Sequence, residues 1–124
     1  MAKKVFKILI IDDMKDIVEM LSELLSYQGY LTLMATDGEN GIRTNEIEDP
    51  DLIILDFKMP GMDGVEVLSK IRQTDKDVKV IMLSGYLDDE LKLKTKDLNV
   101  GKYLSKPFIF DELFINVEQL LGKE

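Results

Sequence analysis

Four short polar groups stand at places in this chain where they could act together. Asp12-Asp13 follows Ile8-Leu9-Ile10-Ile11, Asp56 follows Leu52-Ile53-Ile54-Leu55, and Ser84 follows Val80-Ile81-Met82-Leu83. Tyr103-Leu104-Ser105 is shorter and ends in Lys106-Pro107. Carboxylates that converge repel one another and cannot all stay ionised without help. A hard cation supplies that help. An open, oxygen-only ligand set suits Mg2+, with Mn2+ as a substitute, and leaves part of the shell to water and phosphate oxygens. A carboxylate oxygen in such a site can attack phosphorus, while an ammonium and a hydroxyl steady the phosphoryl oxygens, because phosphoryl transfer depends on positioning and charge neutralisation. Lys106 and Ser84 supply those two groups. The constellation reads as a place to form an aspartyl phosphate.

This chemistry requires the ends of the four runs to share one edge. Continuous branched aliphatic runs with helical stretches between them read as buried parallel strands, whose carboxyl ends line one side of an open sheet. Strand one, about Phe6 to Ile11, leads into Ile17, Met20, Leu21, Leu24 and Leu25 at helical spacing. Gly29 stops that helix, and Tyr30 to Met34 reads as strand two. Gly38 to Ile47 offers only Gly41, Ile42 and Ile47 to a core, so a helix is expected mainly because parallel strands need a crossover. Pro60-Gly61 marks a turn before a helix from Gly64 to Gln73, with Asp63 and Glu66 spaced as a capping box and Val67, Leu68 and Ile71 as its buried stripe. Strand four is expected over Val78 to Leu83.

The segment Leu87 to Leu98 alternates briefly like a strand at Leu91-Lys92-Leu93-Lys94. Acidic residues at its start and lysines later suit a helix dipole, which favours helix, with Leu87, Leu91 and Leu98 inward and Leu93 outward. Leu113, Phe114, Val117, Leu120 and Leu121 define a last helix, with Asp111 near its start. The expected fold is α/β: a three-layer, doubly wound domain with a five-stranded parallel sheet in the flavodoxin-like order 2-1-3-4-5. Strands one and three are then neighbours, which brings Asp12, Asp13 and Asp56 together with Ser84 and Lys106 beside them.

Composition narrows the chemistry further. The 124 residues, 45% hydrophobic, fit one domain, and the net charge of -8 opposes direct binding to nucleic acid. Neither cysteine nor histidine occurs, which excludes disulfides, thiolate zinc sites and Ser-His or Cys-His catalysis from this chain alone. The basic N-terminus runs into a short strand broken by Asp12, so neither a signal peptide nor membrane insertion is expected, and the expected location is cytoplasmic.

On these residues the chain resembles the receiver domains of two-component response regulators over nearly its whole length. The markers are Asp12-Asp13, Asp56 within Leu55-Asp56-Phe57-Lys58-Met59-Pro60-Gly61-Met62-Asp63-Gly64, Ser84, and Lys106-Pro107-Phe108. It is similar to the stand-alone regulators of sporulation phosphorelays and chemotaxis. The resemblance implies that Asp56 is the phosphoacceptor, that Asp13 and Asp56 bind Mg2+ directly with the Lys58 carbonyl, and that Asp12 helps through water. It further implies Ser84 as a switch hydroxyl, Lys106 as a phosphoryl contact, Lys106-Pro107 as a cis peptide and Tyr103 as an aromatic rotamer switch. The donor would be a histidine kinase or a histidine phosphotransfer protein, since this chain has no histidine. Signal would leave by onward phosphotransfer or through a downstream protein that meets helix four, strand five and helix five. Three residues follow Leu121, so residues 1–124 are expected to form a single receiver domain with no output domain.

Two departures from the family pattern stand out. Lys58 occupies a position where the family often has Asn or another small polar residue, leaving one net negative charge among Asp12, Asp13, Asp56, Lys58 and Lys106 before any metal. With Tyr86, two residues after Ser84, it would obstruct the water that hydrolyses an acyl phosphate, so a long-lived phosphoryl group is expected. The usual Gly-Ala pair before strand five is Asn99-Val100, where Asn still tolerates a left-handed helix cap.

Other readings compete with these. Asp13 alone would be an ordinary helix cap, Ser84-Gly85 an ordinary turn, Lys106 a solvated charge and Tyr103 half-buried strand packing. Leu93, Phe108, Ile109 and Phe110 are either scattered surface apolars or part of a docking face. A Mg2+ phosphohydrolase of the haloacid dehalogenase type needs a second Asp two residues after the nucleophile, where Lys58 stands. A flavodoxin-like cofactor module needs a hydroxyl- or glycine-rich loop after strand one, and Asp12-Asp13-Met14-Lys15 would repel phosphate.

Overall fold

The computed structural model describes residues 4–85 and 89–122. In chain order the elements are β1 (Lys7–Ile11), α1 (Lys15–Tyr27), β2 (Leu31–Ala35), α2 (Gly38–Glu48), β3 (Leu52–Asp56), α3 (Gly64–Arg72), β4 (Lys79–Ser84), α4 (Asp89–Lys94), β5 (Lys102–Ser105) and α5 (Phe110–Leu120). All strand pairings are parallel, in the order β2-β1-β3-β4-β5. The expected doubly wound architecture and strand order are both present.

Continuous apolar strands make sense once each face of the sheet has its own core. Ile8, Ile10, Leu52, Ile54, Ile81 and Leu83 pack with Val18, Leu21 and Leu25 of α1 and Leu113 and Val117 of α5. The alternate residues Leu9, Ile11, Ile53, Leu55, Val80 and Met82 pack with Val67, Leu68 and Ile71 of α3 and Leu91 of α4. Side chains of a strand point alternately to opposite faces, so a strand covered on both sides has no polar phase. Each such fully buried aliphatic side chain contributes about 1.5–3 kcal/mol of transfer free energy. The register Ile11↔Leu55 sets β1 beside β3, the arrangement that brings Asp12 to Asp56.

Helix ends follow local chemistry. Gly29 (φ 97°) closes α1, with its N–H donating to Ser26 O and the Tyr30 N–H to Leu25 O, and Tyr30 is buried behind it. Asp63 caps α3: its side chain accepts from Glu66 N at 2.9 Å while the Asp63 N–H reaches Glu66 Oε1.

Several expectations are corrected. Met20 is 48% exposed and Val18 takes its place in the α1 stripe, because at 3.6 residues per turn Val18 falls within the arc of Leu21 and Leu25 and Met20 does not. Ile47 is 70% exposed, since it lies opposite Gly38, Gly41 and the buried Asn45 on α2. β1, β2 and β4 each begin one residue later than expected. The helix of β4–β5 is shorter than Leu87 to Leu98: α4 ends at Lys94 and continues as turns, with Lys96 N donating to Leu93 O and Leu98 N to Thr95 O. Asn99 (φ 54°) then redirects the chain, the left-handed position anticipated for it. Phe108 and Phe110 pack against the α1–α5 core rather than standing exposed, while Leu93 and Ile109 are exposed. Leu87 lies outside the described residues.

Candidate functional site

Backbone hydrogen bonds continue past the strand ends and fix the edge where the polar residues meet. Asp12 N donates to Ala35 O, Phe57 N to Leu83 O at 2.8 Å, and Lys106 N to Ser84 O at 2.7 Å. Gly64 must approach this edge closely, because a Cβ there would lie 2.6 Å from Asp56 O. Asp12, Asp56 and Ser84 are 0%, 4% and 2% exposed, whereas Asp13 faces solvent.

Lys106 bridges two of the carboxylates. Its Nζ lies 2.8 Å from Asp12 Oδ2 and 3.1 Å from Asp56 Oδ1. The other Asp12 oxygen accepts from Met14 N at 3.0 Å, so Asp12 is held on both sides by the protein. One oxygen from each of Asp12, Asp13 and Asp56 lies within 4.8 Å of the others.

This crowding shows in proton affinity. Burial, and next the charge of Asp12, push the Asp56 carboxyl up to about 6; Lys106 works in the other direction and Asp13 adds to the rise. Burial pulls the Lys106 ammonium down, but its hydrogen bond to Asp12 and the charges of Asp56 and Asp12 outweigh it and leave the group above its ordinary value. Lys106 alone does not neutralise the three carboxylates. Clustered hard oxygens with a charge deficit of this kind are the donor set of a divalent-cation site, and the residues fit such an ion.

Residues 8–118 match the family described as the response regulator receiver domain. The chain is a response regulator receiver domain. Among its relatives is sporulation initiation phosphotransferase F of Bacillus subtilis, 36% identical over 115 residues that cover 93% of each chain. The alkaline phosphatase synthesis transcriptional regulatory protein PhoP of the same organism is 36% identical over 117 residues, covering 94% of this chain and 49% of that one. The chain thus spans about half the length of that transcriptional regulator. A receiver domain protein from Methanospirillum hungatei superposes with a TM-score of 0.92 at 28% identity, covering 96% of this chain and 95% of that one. The response regulator TrrA of Thermotoga maritima, crystallised with Mg2+-BeF, superposes with a TM-score of 0.84 at 37% identity, covering 94% and 99%.

Receiver domains are signalling phosphoacceptors rather than enzymes in the usual sense, and they imply a histidine kinase or phosphotransfer partner. Among the described residues, no helix of this one is long and apolar enough to cross a membrane.

The remaining expected site residues of this receiver domain are distributed around that edge. Lys58 is exposed and lines a cavity of about 380 Å³ with Phe57, Ser84, Gly85, Glu90, Leu91 and Lys94. Among the described residues no ion pair joins Lys58 to Asp12, Asp13 or Asp56, so the charge that enters the carboxylate cluster is that of Lys106. Tyr86 lies outside the described residues. The Lys106–Pro107 peptide is cis. Tyr103 is half-buried, with its hydroxyl bonded to that of Thr95 and Lys92 Nζ 5.8 Å from its ring centroid. Thr95, 1% exposed, carried no periodic signal of its own; its one sequence cue is a hydroxyl four residues after Leu91 in a helix otherwise built of charges and leucines.

Proposed function

We propose that Asp56 accepts a phosphoryl group from the phosphohistidine of a kinase or phosphotransfer partner. The observation that carries this reading is the meeting of Asp12, Asp13 and Asp56 within 4.8 Å of one another beside the Lys106 ammonium. Asp13, Asp56 and the Lys58 carbonyl would hold Mg2+, with Asp12 acting through water; the TrrA complex with Mg2+-BeF supports that choice of ion. When bound, the ion neutralises charge on the phosphoryl oxygens and on the carboxylates. An Asp56 oxygen attacks phosphorus, the phosphorus–nitrogen bond to the donor imidazole breaks, and the imidazole leaves with the electron pair.

Lys106 already contacts Asp56, and its ammonium is in reach of a phosphoryl oxygen placed on that carboxyl. Ser84, on the neighbouring strand end, offers its hydroxyl to the same group, and Tyr103 turns with it, shifting a two-state equilibrium at α4, β5 and α5. Lys58 and Tyr86 slow hydrolysis by obstructing water. Residues 1–124 act as one receiver unit in a cytoplasmic setting, passing signal by protein contact or onward phosphotransfer. The 93% mutual coverage with sporulation initiation phosphotransferase F supports this single-domain reading.

Intact mass after incubation with acetyl phosphate and Mg2+ tests the reaction. The expected result is one phosphoryl adduct in the wild type, lost in Asp56→Asn and lost on chelation. An adduct that persists in Asp56→Asn, or none in the wild type with either acetyl phosphate or a phosphorylated kinase, would overturn it.

A further inference from the structure

Tyr103 packs against the core layer that contains Leu91 and Met82, and its hydroxyl meets Thr95 Oγ1. Thr95 Oγ1 also lies 2.9 Å from Leu91 O and 3.4 Å from Lys92 O. A threonine hydroxyl has one proton and two lone pairs, and a carbonyl can only accept. The Thr95 proton is therefore committed to the helix turn, and the Tyr103 proton goes to Thr95. A directed chain results, from Tyr103 Oη through Thr95 Oγ1 to Leu91 O. The same turn supplies Lys92, whose ammonium is within cation–π reach of the Tyr103 ring at 5.8 Å. Thr95 stands where α4 gives way to turns, one residue past Lys94.

We propose that Thr95 is a positioning residue for Tyr103: its hydroxyl holds the tyrosine in the half-buried rotamer it adopts here and ties that rotamer to the closing turn of α4. The inference rests on the reading of Tyr103 as a rotamer switch and adds the latch that acts on it. Rotation of Tyr103 away from α4 removes a partner from the hydroxyl of Thr95, a residue 1% exposed, while the tyrosine hydroxyl regains water. The rotamer that meets Thr95 is favoured by the worth of one neutral hydrogen bond, about three- to tenfold in population. The coupling runs both ways: a change in the closing turn of α4 moves Thr95 Oγ1 and releases Tyr103, and rotation of Tyr103 loosens that turn.

Three-bond couplings in NMR spectra give the χ1 populations of Tyr103 without any phosphodonor. Failure of the latch is thus separable from failure of the phosphoacceptor reading, which would show as a missing mass adduct. Thr95→Val is expected to shift the Tyr103 populations away from that rotamer by about three- to tenfold, and Thr95→Ser to restore them. Unchanged Tyr103 populations in Thr95→Val would overturn the proposal. Where Thr95→Val fails to fold, Tyr103→Phe decides alone: faster amide exchange at 95 and 98 by threefold or more supports the latch, and smaller changes overturn it.

Discussion

Asp56→Asn is expected to stabilise the protein while abolishing phosphoryl acceptance. Asp56 is 4% exposed, and burial together with Asp12 and Asp13 lifts its carboxyl from 3.8 to about 6 despite Lys106. Each tenfold change in proton affinity corresponds to about 1.36 kcal/mol, so keeping this group ionised costs the native state roughly 3 kcal/mol. Between pH 3.8 and about 6 the native protein carries more bound proton than the unfolded chain. Stability therefore falls as pH rises through that window and stays at its lower level above it. Asparagine, nearly isosteric and neutral, carries no such cost. Lys106 retains Asp12 at 2.8 Å, so the substitution strands no ammonium.

Urea denaturation in chelator from pH 4 to 8 reads this directly. Asp56→Asn should exceed the wild type by up to about 3 kcal/mol at pH 7.5, with the gap closing toward pH 4. Mg2+ should narrow the gap at pH 7.5, since ligand binding at one hundred times Kd is worth about 2.7 kcal/mol to the form that binds. A variant no more stable than the wild type at pH 7.5, or a gap that does not change with pH, would refute the electrostatic account of this edge.

Lys106→Met should destabilise by about 3 kcal/mol at pH 7.5, because it leaves buried Asp12 and Asp56 without their cation, and the loss should shrink as Asp56 takes up a proton below about pH 6; the same urea series measures it. Asp63→Ala removes the side-chain acceptor of Glu66 N, leaves the backbone N–H of residue 63 to Glu66 Oε1, and should cost about 1 kcal/mol in thermal or urea unfolding, with phosphoryl acceptance intact. Arg72→Met should cost about 3 kcal/mol, since the guanidinium donates to Leu98 O, Asn99 O and Asp75 O at 2.8, 3.0 and 3.1 Å, and faster amide exchange at 98–101 should accompany the loss.

Much of the fold was legible because the strands are buried on both faces, which strips them of polar residues and leaves runs such as Ile8-Leu9-Ile10-Ile11. The meeting of Asp12, Asp13 and Asp56 beside Lys106 was legible for the same reason, as each run stops at a polar residue of that edge. The errors fall where rotation or distance decides. Met20 and Val18 differ only in which arc of α1 they occupy, and both are apolar, so hydrophobicity alone does not separate them. The end of α4 depends on partners far along the chain: Arg72 reaches Leu98 O across 26 positions, and Thr95 answers to Tyr103 eight positions on. No local pattern records either contact.

The adjacent pair Asp12-Asp13 shows how an ambiguous dipeptide acquires two tasks. Asp12 is fully buried, with one oxygen on Met14 N and the other on Lys106, so its hydrogen-bonding capacity is largely met by the protein. Asp13 is exposed at the same edge, and its carboxylate is the one of the three that can turn toward an ion at little cost. A cation that drew Asp12 into direct coordination would have to compete with Lys106 for an oxygen 2.8 Å away from that ammonium. Water between Asp12 and the ion avoids that competition, which is the division of labour the family resemblance assigns. Loss of Lys106 should therefore free Asp12 for direct ligation, and Lys106→Met should tighten Mg2+ binding even as it destabilises the protein. Titration of Mg2+ followed by backbone NMR checks this, and weaker binding in the variant would show that Lys106 organises the carboxylates rather than competing for them.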